Sequence, residues 1–214
     1  MARGKIKKMI TILIGLVILA IVIAAISFIE VEKAQFRRNA KFAHSMPAIK
    51  PDSKDLVIYF SRSGNTELMA MEIAKRYQAS LVQLEAENYR IGFRGFMNAL
   101  KDSQSQHATI TPEKVALSQY ETVFIGTPIW LYSPAPAVWQ FIECNDFTGK
   151  NVVLFTTHNG RFKQEYIDEC KAKIEAKNGY FVKHMYVDRG KMLRQISPEI
   201  LLEQTRNELN KLRH

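Results

Sequence analysis

Five short apolar runs that alternate with helical segments constrain the fold of this chain more than any other feature. The runs are five to eight residues long and rich in β-branched or aromatic side chains: Leu56–Phe60, Ser80–Leu84, Glu121–Gly126, Asn151–Thr157 and Tyr180–Val187. Helical periodicity and capping residues mark the segments that follow them: Glu67–Tyr77, Phe93–Lys101, Pro134–Glu143, Lys163–Lys177 and Ser197–Leu212. Apolar runs without polar alternation suit strands that are buried on both faces, as in a parallel sheet between two layers of helices. The sequence therefore predicts an α/β three-layer sandwich with a five-stranded parallel sheet.

The loop after the first run, Ser61–Thr66, leads directly into a helix and is almost entirely small and polar. The first amides of a helix have no intrahelical partner, and the helix dipole favours negative charge beside them. Gly64 permits the positive φ that a tight turn requires. Further hydrogen-bond donors come from the side chains of Ser61, Ser63, Asn65 and Thr66. The loop therefore predicts an anion site, although a serine-rich turn that only caps the helix has the same composition.

The loop after the third run, Gly126–Pro136, places Trp130 and Tyr132 beside a Gly-Thr-Pro turn. Two aromatic side chains offer a flat apolar wall for a ring system, although both are also compatible with ordinary core or surface positions. In open α/β sheets, ligands bind at the carboxyl ends of the strands, in the crevice where the strand order reverses. We therefore expect the loops after strands one, three and four to meet there, the last of them being Thr156–Arg161.

These loops resemble those of the flavodoxin family. Ser61–Thr66 reads hydroxyl-x-hydroxyl-Gly-Asn-Thr after a first strand and resembles the family's FMN-phosphate loop. Gly126–Pro136 resembles the flavin-ring loop of flavodoxin-like proteins and flavodoxin-fold NAD(P)H oxidoreductases. The resemblance spans nearly all of residues 54–214 and is weakest at 157–161. It implies a flavodoxin-like fold with strand order 2-1-3-4-5 and noncovalently bound FMN.

The resemblance also implies which residues bind the cofactor. The phosphate loop would contribute Ser61, Arg62, Ser63, Gly64, Asn65 and Thr66, mainly through hydroxyls and backbone amides. The ring loop would contribute Thr127, Pro128, Ile129, Trp130, Leu131 and Tyr132, and the third loop Thr157, His158, Asn159 and Gly160. We expect the Arg62 side chain to point to solvent or to a partner. His158 stands where the family has a small residue, and either contacts the flavin or faces solvent.

The segment before the domain is apolar. Met9–Ile29 is a run of 21 residues without a charge, long enough to span a bilayer as a helix. A cleavable signal peptide is the alternative, because Ala25–Ser27 offers a small-x-small site. We interpret residues 1–8 as a basic flank, 9–29 as a transmembrane helix, 30–53 as a juxtamembrane helix and linker, and 54–214 as the FMN-binding domain.

Charge and cysteine content narrow the class of function. The formal net charge is +9, but residues 1–46 hold eight Lys/Arg against two Asp/Glu and so carry +6 of it. A basic excess around an apolar segment is a topology signal rather than a nucleic-acid footprint, so no nucleic-acid partner is predicted. Cys144 and Cys170 lack metal-ligand spacing and the five histidines are scattered, so no metal site is predicted either.

Positive charge does not decide the orientation of the apolar span. Four Lys/Arg precede it, and Lys33, Arg37, Arg38 and Lys41 follow it, so the two sides nearly tie. The need for FMN and a cytosolic reductant favours a single-pass protein of the cell membrane whose domain faces the cytoplasm.

Together these features predict a membrane-anchored, flavodoxin-like protein that binds FMN and moves electrons. No catalytic triad or carboxylate pair is needed, because the flavin supplies the redox chemistry. The partners are then membrane lipid at the N-terminal helix and either a redox partner protein, for a carrier, or NAD(P)H and a small acceptor such as a quinone, for a reductase. The alternative is a non-redox, membrane-anchored binding module that keeps the fold without flavin.

Overall fold

The computed structural model describes residues 2–191 and 193–212, without the side chains of residues 2–7 and 11. Its helices are α1 Ala2–Ser45, α2 Asn65–Tyr77, α3 Phe93–Lys101, α4 Pro136–Cys144, α5 Gln164–Glu175 and α6 Pro198–Asn210. Its strands are β1 Asp55–Tyr59, β2 Ser80–Gln83, β3 Thr122–Trp130, β4 Ser133–Pro134, β5 Asn151–His158 and β6 Tyr180–Asp188. A short 3₁₀ turn, Glu87–Tyr89, lies between β2 and α3.

The main sheet is parallel and has the strand order β2-β1-β3-β5-β6. The predicted order of 2-1-3-4-5 is confirmed, because β5 and β6 are the predicted fourth and fifth strands. The additional β4 is a short strand that pairs antiparallel with the end of β3. Leu56 of β1 lies opposite both Ser80 and Val123, so β1 separates the two halves of the sheet. The crevice where the strand order reverses therefore opens at the carboxyl end of β1.

Helices pack on both faces of the sheet, and the side chains of β1 divide between them. Leu56 and Ile58 lie in the apolar cluster shared with α4 and α5, whereas Val57 and Tyr59 lie in the cluster shared with α2 and α6. All four side chains are buried. Burial on both faces explains why the sequence of this strand shows no polar alternation.

Strand β3 is longer than predicted. It continues past Gly126 to Trp130, because Thr127 and Pro128 still lie opposite residues of β5 in the parallel ladder. The predicted ring loop is therefore part strand and part turn. Gly126 itself is required at this position, since an added Cβ would lie 2.1 Å from the ring of Phe155 on the neighbouring strand.

Helix α4 begins at Pro136, two residues later than the predicted start at Pro134. The prediction was wrong because Pro134 belongs to β4, and its carbonyl accepts a 3.0 Å hydrogen bond from Nε1 of the buried Trp139. Pro136 then occupies the first helical turn, where a missing N–H is no loss.

Helix α1 is continuous from the apolar segment onto the domain. Within the described residues it is the one helix long and apolar enough to cross a membrane, with a mean hydropathy of 3.2 in its most apolar window. Its apolar residues up to Val22 and Ile23 are exposed. Further along, one face packs against the domain at helical spacing, through Glu32, Gln35, Asn39 and Ala43.

Candidate functional site

The loop between β1 and α2 presents an uncapped helix N-terminus. Gly64 is the N-cap residue of α2 with φ +84°, and no side chain accepts a hydrogen bond from the first turn of this helix. The hydroxyl oxygen Oγ of Ser61 is buried and has no partner among the described residues. Free amides and an unpaired buried hydroxyl together are suited to an anionic ligand. The N-terminus of α2 therefore carries the free donors of the predicted anion site.

The first and third predicted loops meet through a hydrogen bond. Oγ1 of Thr66 lies 2.8 Å from Oγ1 of Thr157, and both side chains are buried. Beside them, the Asn65 amide nitrogen donates to Ser63 Oγ at 3.1 Å and to Gln195 Oε1 at 3.2 Å. Because each of these groups is engaged, the first turn of α2 is held in one arrangement.

Helix α1 lies directly on the same loop, which sequence reasoning missed. Asn39 Nδ2 donates to the Ser63 carbonyl at 2.8 Å and to Asn65 Oδ1 at 3.1 Å, and Gln35 Nε2 donates to Asn65 Oδ1 at 3.3 Å. The approach is so close that a Cβ on Gly64 would lie 2.7 Å from Cβ of Asn39. The signal that could have revealed this contact is the spacing of Glu32, Gln35 and Asn39 at i, i+3 and i+7 within a basic helix.

Arg62 does not point to solvent, and that expectation was wrong. Its side chain is 7% exposed and forms an ion pair with Glu32 of α1, whose side chain is 3% exposed. Arg62 also donates from Nε to the Tyr89 carbonyl at 3.0 Å and from Nη2 to the Gly92 carbonyl at 3.3 Å. Burial lowers the pKa of Arg62 to about 10, so the guanidinium remains charged at neutral pH beside the Glu32 carboxylate.

The ring loop combines a held aromatic residue with an exposed, strained tip. Trp130 is half-buried and meets Phe60 edge-on at 5.6 Å and Tyr89 at 5.1 Å between ring centroids. Leu131 and Tyr132 both have positive φ, +40° and +79°, which is costly for residues with a Cβ. Their carbonyls accept hydrogen bonds from the Gln104 side chain and the Lys163 amide respectively.

The hydroxyl of Thr127 is used within the fold. It donates to the Pro128 carbonyl and accepts from the Ala135 amide, each at 3.0 Å, and the side chain is fully buried. Thr127 therefore stabilises the turn between β3 and α4, and Ile129 is buried beside it. Of the predicted ring-loop residues, Ile129, Trp130 and Leu131 line the cavity at the crevice, whereas Tyr132 is exposed at the surface.

His158 is buried as the last residue of β5, so the solvent-facing alternative is wrong. Its Nδ1 accepts a 3.0 Å hydrogen bond from the Gly160 amide, which places the proton of the neutral ring on Nε2. Burial lowers the pKa of His158, Arg189 lowers it further, and Asp188 opposes the shift. Nε2 is buried without a partner among the described residues, and the ring lies against Phe162 and Tyr186.

A cavity of about 220 Å³ lies where the three loops converge. Its lining is Phe28, Glu32, Arg62, Phe96, Ala99, Leu100, Ser103, Ile129, Trp130, Leu131, Asn159 and Arg189. The structure thus brings together Arg62 of the first loop, three residues of the second loop and Asn159 of the third. The predicted residues that lie outside this lining are Ser61, Ser63, Gly64, Asn65, Thr66, Thr127, Pro128, Tyr132, Thr157, His158 and Gly160. The volume is below the roughly 300–1,000 Å³ of pockets that enclose a whole drug-sized ligand, which fits a ligand lying partly outside it.

Arg189 is a second site residue that sequence reasoning missed. It follows β6, its amide donates to the His158 carbonyl at 2.9 Å, and its guanidinium lines the cavity. Burial lowers the pKa of Arg189, and its Nη1 has no partner among the described residues. A buried cation with a free donor beside an aromatic wall is suited to a polar, planar ligand. No sequence motif marks this arginine.

Comparison with known proteins is consistent with this architecture. The profile of the family described as Flavodoxin matches residues 54–205. A candidate flavoprotein from Bacteroides uniformis is 22% identical, with a TM-score of 0.55, over 72% of this chain and 98% of its own. One from Bacteroides eggerthii is also 22% identical, with a TM-score of 0.56, over 76% of this chain and 99% of its own.

A third solved structure carries a cofactor. The flavoprotein from Lactobacillus acidophilus was crystallised in complex with FMN, and it is 19% identical to this chain with a TM-score of 0.51. The match covers 63% of this chain and 93% of that protein. No curated protein sequence matches the chain significantly. At these identities the solved structures establish the shared fold.

Proposed function

Because the chain belongs to the flavodoxin family over residues 54–205, we propose that it is a membrane-anchored flavoprotein that binds FMN noncovalently and transfers electrons. The observation that carries this proposal is the set of buried polar atoms without partners in the loops of the crevice and beside them: Ser61 Oγ, His158 Nε2, Arg189 Nη1 and Glu32 Oε2, the last on a carboxylate whose other oxygen pairs with Arg62. Unpaired buried polar groups are rare, and each is costly without a ligand or water. Their position beside the uncapped N-terminus of α2 and the Trp130 wall fits a phosphate joined to a flat ring.

The residues divide between the two ends of such a ligand. The Ser61 hydroxyl and the first amides of α2 would hold the phosphate, as a helix N-terminus favours an anion. Trp130 and Leu131 would form one wall of the ring site. Arg189 and His158 would donate to polar ring edges and thereby favour added electron density there. When bound, FMN would supply the capacity to accept and release electrons, which amino-acid side chains lack here.

The cavity bears on whether the protein is a carrier or an enzyme. A carrier exposes its cofactor edge on a flat surface, whereas a reductase of a small acceptor needs a pocket over it. The apolar lining by Phe28, Phe96 and Leu100 favours a small apolar acceptor such as a quinone. Overall, NAD(P)H would give up a hydride, and the hydride with one proton from water would convert a quinone to its quinol.

Helix α1 would be the anchor, and we propose that the domain faces the cytoplasm, where FMN and NAD(P)H are supplied. At about 1.5 Å per residue, the 21 residues from Met9 to Ile29 span roughly 31 Å, which matches a hydrocarbon core of about 30 Å. Protease added to sealed, right-side-out vesicles should leave residues 54–214 intact. Cleavage within these residues would show that the domain faces the outside instead.

Purification of the full chain in detergent tests the cofactor. The preparation should be yellow and release FMN on denaturation, and the stripped protein should bind added FMN in a one-to-one ratio. Loss of a hydrogen bond to a charged group is worth about 1.5–3 kcal/mol, so Ser61→Ala should weaken FMN binding by roughly tenfold or more. Ser53→Ala, which removes a hydroxyl bonded to the Gln78 carbonyl, is the matched control.

A second pair of variants, one test and one control, examines the ring site. Trp130→Ala should also weaken FMN binding, whereas Tyr180→Ala removes an exposed aromatic residue at the start of β6 and should not. A colourless protein that added FMN does not reconstitute would contradict the flavin proposal. Sustained NADH or NADPH oxidation with a soluble quinone would then identify a reductase, and its absence in a flavin-loaded preparation would favour a carrier.

A further inference from the structure

Helix α3 carries an exposed apolar stripe. Phe93, Met97 and Leu100 are 58%, 46% and 41% exposed, although Gly95 and Ala99 on the opposite side of the helix are buried. At 100° per residue the three apolar side chains fall within an arc of roughly 60°. An apolar stripe on the exposed side of a short helix indicates a surface that something covers.

The stripe is continuous with the apolar part of α1. Phe96 lies on one flank of the stripe, and its ring centroid is 4.5 Å from that of Phe28. Phe28 is the last but one residue of the uncharged run Met9–Ile29. The domain therefore touches α1 at the level where the apolar run ends, and α3 lies at the same level. A domain that contacts its anchor at this level lies next to the medium that surrounds the apolar run.

The opposite flank of the stripe is basic. Arg94 and Lys101 follow Met97 around the helix and are exposed. Apolar side chains beside exposed Arg and Lys are the pattern of a helix that lies in the membrane interface, with its charges at the lipid headgroups. This charge pattern favours lipid over a second copy of the chain, because two such stripes placed face to face would bring like charges together.

We propose that α3 is a second membrane contact, which lies in the interface of the same bilayer that α1 crosses. Leu131 belongs to this contact, since it is 54% exposed and lines the cavity together with Leu100 and Phe28. The tip of the ring loop would then rest on the lipid, and the cavity would open where an apolar molecule leaves the bilayer. This inference rests on the proposed anchoring by α1.

Depth-dependent quenching in vesicles tests the contact. The full chain, with Cys144→Ser, is labelled with a fluorophore at Met97→Cys and reconstituted into vesicles of phosphatidylcholine and phosphatidylglycerol. Cys170 is buried and does not compete for the label. Phospholipids that carry a nitroxide near the headgroup end of the acyl chain should quench this label strongly. Tyr180→Cys is the control, because position 180 is also exposed but lies at the start of β6, at the opposite edge of the sheet.

The outcomes distinguish failure of the membrane contact by α3 from failure of the proposed anchoring by α1. Strong quenching at position 97 with little at position 180 supports the membrane contact. If alkaline carbonate extracts the chain from the vesicles, the anchor and the contact both fail. If the chain resists extraction and both positions are quenched equally weakly, the contact alone is overturned. Energy transfer between labels at position 97 of different molecules, without lipid quenching, would assign the stripe to a second copy of the chain and also overturn it.

Discussion

The buried ion pair between Glu32 and Arg62 should determine whether α1 stays on the domain. Replacing Glu32 by Gln leaves the Arg62 guanidinium buried without a counter-charge, although its bonds to the Tyr89 and Gly92 carbonyls remain. Removing one partner of a buried pair is destabilising by about 3–5 kcal/mol. We therefore expect Glu32→Gln to weaken the docked state by an amount in this range.

The measurable destabilisation in Glu32→Gln has an upper limit. If α1 leaves the folded domain, both groups return to water, so the observed loss cannot exceed the free energy of docking. Hydrogen–deuterium exchange of the peptide over residues 60–66 is the suitable assay, because α1 covers this loop through Asn39. Exchange should become faster in Glu32→Gln, in the full chain held in detergent.

A matched control lies half a turn earlier on the same helix. Glu30 pairs with Lys33, but their side chains are 54% and 41% exposed, and an exposed pair contributes little because water and salt screen it. Glu30→Gln should therefore leave exchange at residues 60–66 unchanged. Equal exchange in the Glu30 and Glu32 variants would refute the reasoning, because the buried pair would then do no more than an exposed one.

Two further predictions concern polar side chains that form hydrogen bonds with β5. Burial lowers the pKa of His184 to about 4, so below pH 6.5 the unfolded chain binds more protons than the folded one, and the free energy of unfolding should fall by up to about 3 kcal/mol as the pH drops towards 4. Chemical denaturation at several pH values should show a weaker dependence of this free energy on pH in His184→Gln. The same pH dependence in the variant would contradict the lowered pKa of His184. Thr66→Val leaves the hydroxyl of Thr157 buried without its 2.8 Å partner and should lower the free energy of unfolding by about 1–3 kcal/mol. Thr66→Val combined with Thr157→Val should lose less stability than the sum of the losses in the two single variants. Additive losses in this double-mutant cycle would argue against the hydrogen bond between the two hydroxyls.

The sheet was predictable because its residues carry local signals. Val57 and Phe124 lie in apolar runs that only a doubly covered strand accommodates, and Gly64 and Trp130 lie in loops whose composition is specific. The limits of the elements were less predictable. Thr127–Trp130 extends β3 because β5 pairs with its first two residues and β4 with its last two, and no property of that tetrapeptide records the presence of either strand.

The parts of the site that escaped prediction come from long-range contacts. Arg62 was expected in solvent because an arginine in a polar loop usually lies there, and its partner Glu32 is 30 positions earlier in a segment interpreted as a juxtamembrane helix and linker. Arg189 and Gln195 reach the crevice only because β6 ends beside β5. The spacing of Glu32, Gln35 and Asn39 marks a buried face of α1, but nothing in the sequence identifies the loop that this face contacts.

The continuity of α1 from the apolar run to Asn39 has a consequence for how the chain can vary in evolution. One residue inserted between the apolar run and Glu32 would rotate the docking face by about 100° and raise it by about 1.5 Å. Glu32, Gln35 and Asn39 would keep their partners on the first loop, but Phe28 would turn away from Phe96, the ring that it contacts on α3. A flexible linker tolerates such insertions freely, whereas this junction should tolerate substitutions but not changes of length. The number of residues between Phe28 and Glu32 is thus as constrained as the identity of a core side chain.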